Sequence, residues 1–243
     1  MIPIRDDIPS RTAPVVSISL IVVNVLAFLY ELSLGPEGLE LFFREYAVVP
    51  ARYFAAGYVD EVGLIHQYAL SDLIVPIFTA MFLHGGWLHV GGNMLYLWIF
   101  GDNVEDRMGH GRFLIFYLLC GVLATVAHIM FNPQSRVPSL GASGAIAGVL
   151  GAYLLLYPRA RVVTIVPIFF FIEFIPIPAV IVLGIWFLQQ FFAGAMSLGA
   201  ASAQTGGVAW WAHIGGFVSG MVLVHLFKRK DYWPDHRDLW WRH

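Results

Sequence analysis

His84, His89, Asn93, Ser143 and His213 are the residues whose types could do chemistry in an otherwise apolar chain. A serine hydroxyl becomes a nucleophile when a base takes its proton, and its attack on a carbonyl needs donors aimed at the oxyanion that forms. His213 is the candidate base for Ser143. The backbone N–H of Ser143 opens an apolar helical run, where amides have no intrahelical partner, and is a ready oxyanion donor. His89 and Asn93 lie one helical turn apart, so both side chains can point at the same oxygen. No acidic residue is placed to complete a triad, since Glu105 and Glu173 lie elsewhere by topology. The expectation is a Ser–His dyad.

The glycines around these residues carry the next step. In "LGASGAIAGVLGAYLLL", Gly141, Gly144, Gly148 and Gly151 share one helical face, and in "AHIGGFVSG" His213, Gly216 and Gly220 do the same. Small residues on a face let transmembrane backbones approach closely. If the two faces pack, Ser143 and His213 meet near the top of the contact. A glycine stripe alone is an ordinary packing device. A histidine inside a membrane segment is costly and points to function, and the joint occurrence favours chemistry.

The elements that must position these groups follow from composition. The chain has 243 residues, 58% hydrophobic and 12% charged, with a mean hydropathy of +0.72. Soluble domains carry roughly 25% charged residues, so a polytopic membrane protein is expected. A formal charge of −2 argues against nucleic acid as partner, because phosphate contacts need a basic face. The single cysteine, Cys120, excludes disulfide scaffolds and cysteine metal sites. The N-terminus lacks a signal-peptide layout, so the first apolar segment is expected to stay as an anchor.

Six segments approach the roughly 20 apolar residues that cross a bilayer: Pro14–Leu32, His84–Phe100, Phe113–Phe131, Ser143–Tyr157, Pro176–Met196 and Val208–Phe227. Val162–Ile175 is also apolar but carries Pro167 and Glu173 and runs into Pro176 and Pro178. It reads as a re-entrant or interfacial connection, with an extra span as the alternative. With six spans, only Arg44, Arg52 and Arg136 fall on one side and the other Lys and Arg residues on the opposite side, which places both termini in the cytoplasm. The expected layout is a cytoplasmic N-terminus over 1–13, a membrane domain over 14–227 with 33–82 as an outside loop, and a cytoplasmic tail over 228–243. The stretch "LELFFREYAVVPARYF" in the outside loop either rests in the interface or forms a soluble loop. The second, fourth and sixth spans all run inward, so His84, His89, Asn93, Ser143 and His213 share one depth toward the outside.

These residues resemble the rhomboid family of intramembrane serine proteases. The resemblance rests on "HGGWLHVGGN", "GDNVEDRMGHGRF", "GASG" and "AHIGGFVSG", four motifs in order across roughly residues 14–227. It implies an all-α membrane protein, a six-transmembrane-helix bundle with a cavity opening outward. It also implies Ser143 as nucleophile, His213 as base, and His89 and Asn93 in the oxyanion hole. Its substrates would be single-span membrane proteins, cut in or beside the bilayer at small residues. No metal, cofactor or nucleotide is implied. His84, Gly141, Gly144, Gly216 and Gly220 support the site, and Glu105 and Gly109 hold the turn between the second and third spans.

Two departures from the family pattern stand out. Ala147 occupies a position where some relatives carry an aromatic that stacks on the histidine, so Trp210, Trp211 or the glycine packing must position His213. The Trp–Arg pair that many members carry in the first outside loop is missing.

Rival readings lose ground in turn. There is no H-E-x-x-H motif for a metalloprotease, and Ala145 breaks the G-x-S-x-G elbow of soluble hydrolases. Metal binding by His84, His89 and His213 lacks carboxylate or thiolate company. A catalytically silent relative acting as a membrane chaperone, or a small-solute transporter, is the alternative function. His128 is expected to bond a neighbouring helix or to contribute to the cavity. The small-residue stretch "LGAASAQTGGVAW" is expected to gate access, and the C-terminal tail to touch the inner membrane surface. A bacterial plasma membrane is the expected location.

Overall fold

The computed structural model describes residues 2–59, 64–168, 170–197 and 208–229. The core of the expected gating stretch, 198–207, and the C-terminal tail from 230 onward lie outside the described residues. The chain runs β1 (Ile2–Asp6), α1 (Val15–Ser33), α2 (Gly35–Tyr46), β2 (Tyr58–Val59), β3 (Ile65–His66), α3 (Leu70–Thr79), α4 (Trp87–Met108), α5 (His110–Phe131), α6 (Ser143–Leu156), β4 (Arg161–Ile168), β5 (Phe171–Pro178), α7 (Ala179–Ser197) and α8 (Trp210–Phe227).

Among the described residues, α1, α5, α7 and α8 are each long and apolar enough to cross a membrane. A fifth span results if Leu70–Phe82 and α4, bent by 77° at the Gly85–Gly86 break, are taken together. The helix α6 falls short because its 14 residues reach only about 21 Å at 1.5 Å per residue, less than the ~30 Å hydrocarbon core. It does not need lipid contact along its length: every residue from Gly144 to Tyr153 is buried.

The reason is the glycine face. A Cβ on Gly216 would collide with the Gly144 carbonyl, one on Gly220 with the Gly148 carbonyl, and one on Gly151 with the Phe217 carbonyl. The backbones of α6 and α8 are therefore in contact, held by van der Waals packing in the way small-residue faces allow. On its other side Gly148 leaves room for Cys120 of α5.

The opposite end of the bundle is held by polar side chains. The buried Glu105 carboxylate accepts the N–H groups of Val16 and Ser17 at 2.9 and 2.8 Å and the Ser17 hydroxyl at 2.8 Å. It thus satisfies two of the donors that the first turn of α1 leaves open. His110, at the start of α5, pairs with the same carboxylate at 2.6 Å. Glu105 was expected to hold the α4–α5 turn, and its bonds also fasten α1. Gly109, with φ +80, supplies the left-handed residue that breaks α4 from α5.

The Val162–Ile175 stretch, expected as a re-entrant or interfacial connection or else an extra span, is strand and not a spanning helix. It forms the β4–β5 hairpin, and β1 pairs along β4 to give a three-stranded sheet in the order β1-β4-β5. Residues 1–13, the expected cytoplasmic N-terminus, are thus partly strand. The stretch is rich in Val, Ile and Phe, which suit a pleated ribbon, and prolines bar a helix through it. In the connection between α1 and α4, α2 is the amphipathic element the sequence indicates. A bridge between Val48 and Ser139 ties this loop to the α5–α6 connection.

Candidate active site

Ser143 is the first residue of α6 and His213 lies in the first turn of α8. Ser143 Oγ and His213 Nε2 are 2.8 Å apart. On the other side of the ring, His213 Nδ1 lies 2.7 Å from the side-chain oxygen of Gln190 on α7. An amide oxygen only accepts, so Nδ1 carries the proton and donates. Nε2 of the neutral ring is then left free to accept the serine hydroxyl. This is the tautomer a general base needs.

Gln190 was not anticipated from the sequence. Its partnership with His213 uses an amide where a triad would use a carboxylate. His213 is only 8% exposed and Gln190 7%, so both groups are held away from competing water. The ring positioning that the missing aromatic at Ala147 would supply comes from Trp186 of α7, with ring centroids 5.8 Å apart, and from Trp210 edge-on at 6.4 Å. Trp186 was also missed, and the expectation for Trp211 is corrected: it stacks on Phe131 at 3.9 Å.

Gly141 shapes the approach to the serine. Its φ of +128 is open to glycine and strained for other residues, and a Cβ there would lie 2.7 Å from His89 Nε2 and 3.5 Å from Ser143 Oγ. His89 therefore reaches the backbone just ahead of Ser143. Its Nδ1 accepts the Gly85 N–H at 3.3 Å, which puts the ring proton of the neutral form on Nε2, the atom nearest Gly141. The Gly141 N–H itself is tied to the Ala80 carbonyl at 2.8 Å.

Asn93 is buried and its Nδ2 lies 2.9 Å from His84 Nε2. An NH2 group has two hydrogens, so one bond to His84 leaves one hydrogen to give elsewhere. His84 stands edge-on to His89 at 5.1 Å. Its backbone N–H donates to both carboxylate oxygens of Glu31, at 3.1 and 3.2 Å. Glu31, 2% exposed near the end of α1, is a further supporting residue that sequence reading passed over. An acid inside an apolar span was the available signal. The three histidines do not converge as a ligand set, because His213 engages Ser143 and Gln190 through its two ring nitrogens.

A small cavity of about 30 Å³ touches Ser143 and Gly144, lined by Thr125, His128, Ser139 and Ala212. A space of this size holds a water when polar partners line it. His128 was expected to bond a neighbouring helix or to contribute to the cavity. Its ring and carbonyl instead meet Asn132, one turn along α5, and the residue borders this cavity.

The chain matches the Rhomboid domain over residues 72–230, which takes in α3 through α8. It belongs to the rhomboid family. It is similar to the Rhomboid protease GluP of Bacillus subtilis, 45% identical over 94 residues, which are 39% of this chain and 17% of that protein. It is 30% identical over 183 residues to the chloroplastic Rhomboid-like protein 11 of Arabidopsis thaliana, covering 73% of this chain and 60% of that one. Over 153 residues it is 29% identical to the mitochondrial Rhomboid protein 1 of Saccharomyces cerevisiae, 61% of this chain and 40% of the relative. The chain spans less than two thirds of the length of each. The apolar helices and the family together make it an integral membrane protein.

Proposed function

We propose that this protein is an intramembrane serine endopeptidase that cleaves single-span membrane proteins within or next to the bilayer. The observation that carries the reading is the continuous Gln190–His213–Ser143 hydrogen-bond chain at 2.7 and 2.8 Å. Ser143 Oγ attacks the scissile carbonyl carbon while its proton passes to His213 Nε2, and the resulting imidazolium keeps its Nδ1–H on Gln190. The oxyanion is met by the Ser143 N–H at the start of α6, by His89 Nε2–H, and by the Asn93 hydrogen not used by His84. His213 then returns the proton to the leaving amine. Water hydrolyses the acyl-enzyme, and the cavity bordered by His128 is a local reservoir for it. Gln190 is a positioning residue that fixes the histidine tautomer.

In this reading α1 and α4 to α8 are six membrane helices, with α6 shielded from lipid by the others. The side holding Ser143 is outside, and Glu105, the sheet and both termini are on the cytoplasmic side, a reading supported by the Lys and Arg distribution. The substrate helix arrives laterally between α4 and α7 and unwinds at small residues near the outer leaflet. The test is cleavage of a single-span reporter in proteoliposomes. Cleavage by wild type and none by Ser143→Ala is the expected result. An intact reporter with well-folded wild type across several reporter sequences contradicts it and favours a non-catalytic binding role.

A further inference from the structure

The β4–β5 hairpin is not used by the mechanism, and its surface is unlike that of a ribbon in water. An antiparallel sheet with one solvated face alternates apolar and polar residues. Here the outer face pairs Val163 with Pro176, Ile165 with Phe174 and Pro167 with Ile172, and all are apolar. The inner face is buried at its base by Val162 and Thr164 and carries Val166 and Glu173 nearer the tip. At the turn, Phe170 is 98% exposed and Phe171 70%, with Ile172 at 65% and Phe174 at 61%. Eight-residue strands extend about 27 Å at ~3.4 Å per residue, so this exposed apolar tip lies well away from the root of the hairpin. Soluble surfaces rarely carry such a patch without a covering partner.

Two features identify what covers it. First, the surface is continuous with lipid-facing surface: β5 ends at Pro178, α7 begins at Ala179, and the exposed side of α7 opens with Val180 and Ile181. Second, the charged residues within the strands of the outer sheet face are both basic, with an acid at this root, Asp7 just past β1, accepting the Arg161 backbone N–H at 2.8 Å. Arg161 lies at the root of β4, and Arg5 of β1 pairs with Val163 on the same face; both are exposed. An apolar, aromatic tip above a basic root is the pattern of an element seated at an anionic lipid interface. Pro176 and Pro178 on the edge strand carry no backbone donor, which suits an edge without a strand partner.

We propose that the tip half of the β4–β5 hairpin inserts into the headgroup boundary of the leaflet at the end of the bundle opposite Ser143, with Arg5 and Arg161 against anionic phospholipid headgroups. The hairpin then anchors the root of α7, the helix that carries Gln190 and Trp186. Only the naming of this leaflet as cytoplasmic rests on the proposed orientation.

The test is nitroxide labelling of Ile172→Cys and Phe174→Cys in the full chain, each in bilayers of phosphatidylcholine with and without phosphatidylglycerol. Cys120 is buried, so the label reports the introduced site, and Val180→Cys on α7 serves as the lipid-exposed control. Both hairpin labels are expected to collide more with oxygen than with a water-soluble nickel chelate. Their immersion is expected to deepen with phosphatidylglycerol and to lose that dependence in the Arg5→Gln, Arg161→Gln double variant. Dominant nickel collisions at both sites would overturn insertion. Shielding from both reagents would also overturn it and assign the tip to a second copy or a protein partner. Immersion indifferent to phosphatidylglycerol would overturn the role of the arginines. None of these readouts depends on hydrolysis, so a failure of the protease reading leaves them distinct.

Discussion

Replacing Gln190 by leucine removes the acceptor for His213 Nδ1–H and leaves Ser143 in place. With the tautomer no longer fixed, kcat is expected to fall about tenfold to a hundredfold, by analogy with lost partners that orient metal-bound histidines, with KM little changed. Gln190→Glu restores an acceptor and is expected to recover activity; a leucine variant with unchanged kcat contradicts the positioning role. Asn93→Ala is expected to cost on the order of a hundredfold in turnover, as for other oxyanion donors, and reporter cleavage measures it. The residues that meet here were readable to different degrees. Ser143, His213, His89 and Asn93 stand out because a histidine, an asparagine one helical turn from it or a glycine-flanked serine is unusual in an apolar run. Gln190 does not, because a neutral amide in a membrane helix passes for packing until its partner is known, although a buried amide must find one. Glu31 sat within a predicted span and was the stronger signal that went unread.

At the scale of elements, the α6–α8 contact depends on glycines that leave no room for a side chain. Gly220→Ala must push a methyl group into the Gly148 backbone and is expected to cost about 1–3 kcal/mol, the usual range for overpacking. Gly184 on α7 has open space around it, so Gly184→Ala is expected to be neutral or to stabilise by up to about 1 kcal/mol through reduced unfolded-state entropy. Thermal or denaturant unfolding in detergent compares the two, and equal effects would contradict the backbone contact. This face was legible in the sequence because helical spacing of glycine survives without any tertiary information. The β4–β5 hairpin was not, because Glu173 is the one charged residue between Val162 and Pro178 and the period-two signal is lost. A continuous apolar run cannot be assigned to strand or helix by periodicity alone. Its β-branched content and eight-residue strand lengths were the available clues.

Across the whole molecule, the sheet is locked to the bundle through Asp6. Its carboxylate accepts the Tyr153 hydroxyl of α6 and the Asn103 amide of α4, the latter at 2.8 Å. Burial, with the nearby Asp102 and Asp7 charges adding to it, pushes the Asp6 carboxyl up from 3.8 to about 7. The folded state therefore holds this proton more tightly than the unfolded chain. The associated stability is complete below about pH 4 and is lost as pH rises through about 7. Unfolding midpoints of wild type and Asp6→Asn are expected to diverge over that window, with the wild type losing ground as pH rises. Parallel profiles would contradict the assignment.

The proposed chemistry at the other end of the bundle is tested most directly by labelling the purified, detergent-solubilised protein with a fluorophosphonate probe. Wild type is compared with Ser143→Ala and His213→Ala. The expected result is labelling of wild type that disappears in both variants while their helical content and unfolding transitions are retained. Absence of labelling in well-folded wild type, repeated in lipid, would contradict an activated serine and turn attention to a family member that binds membrane proteins without cutting them.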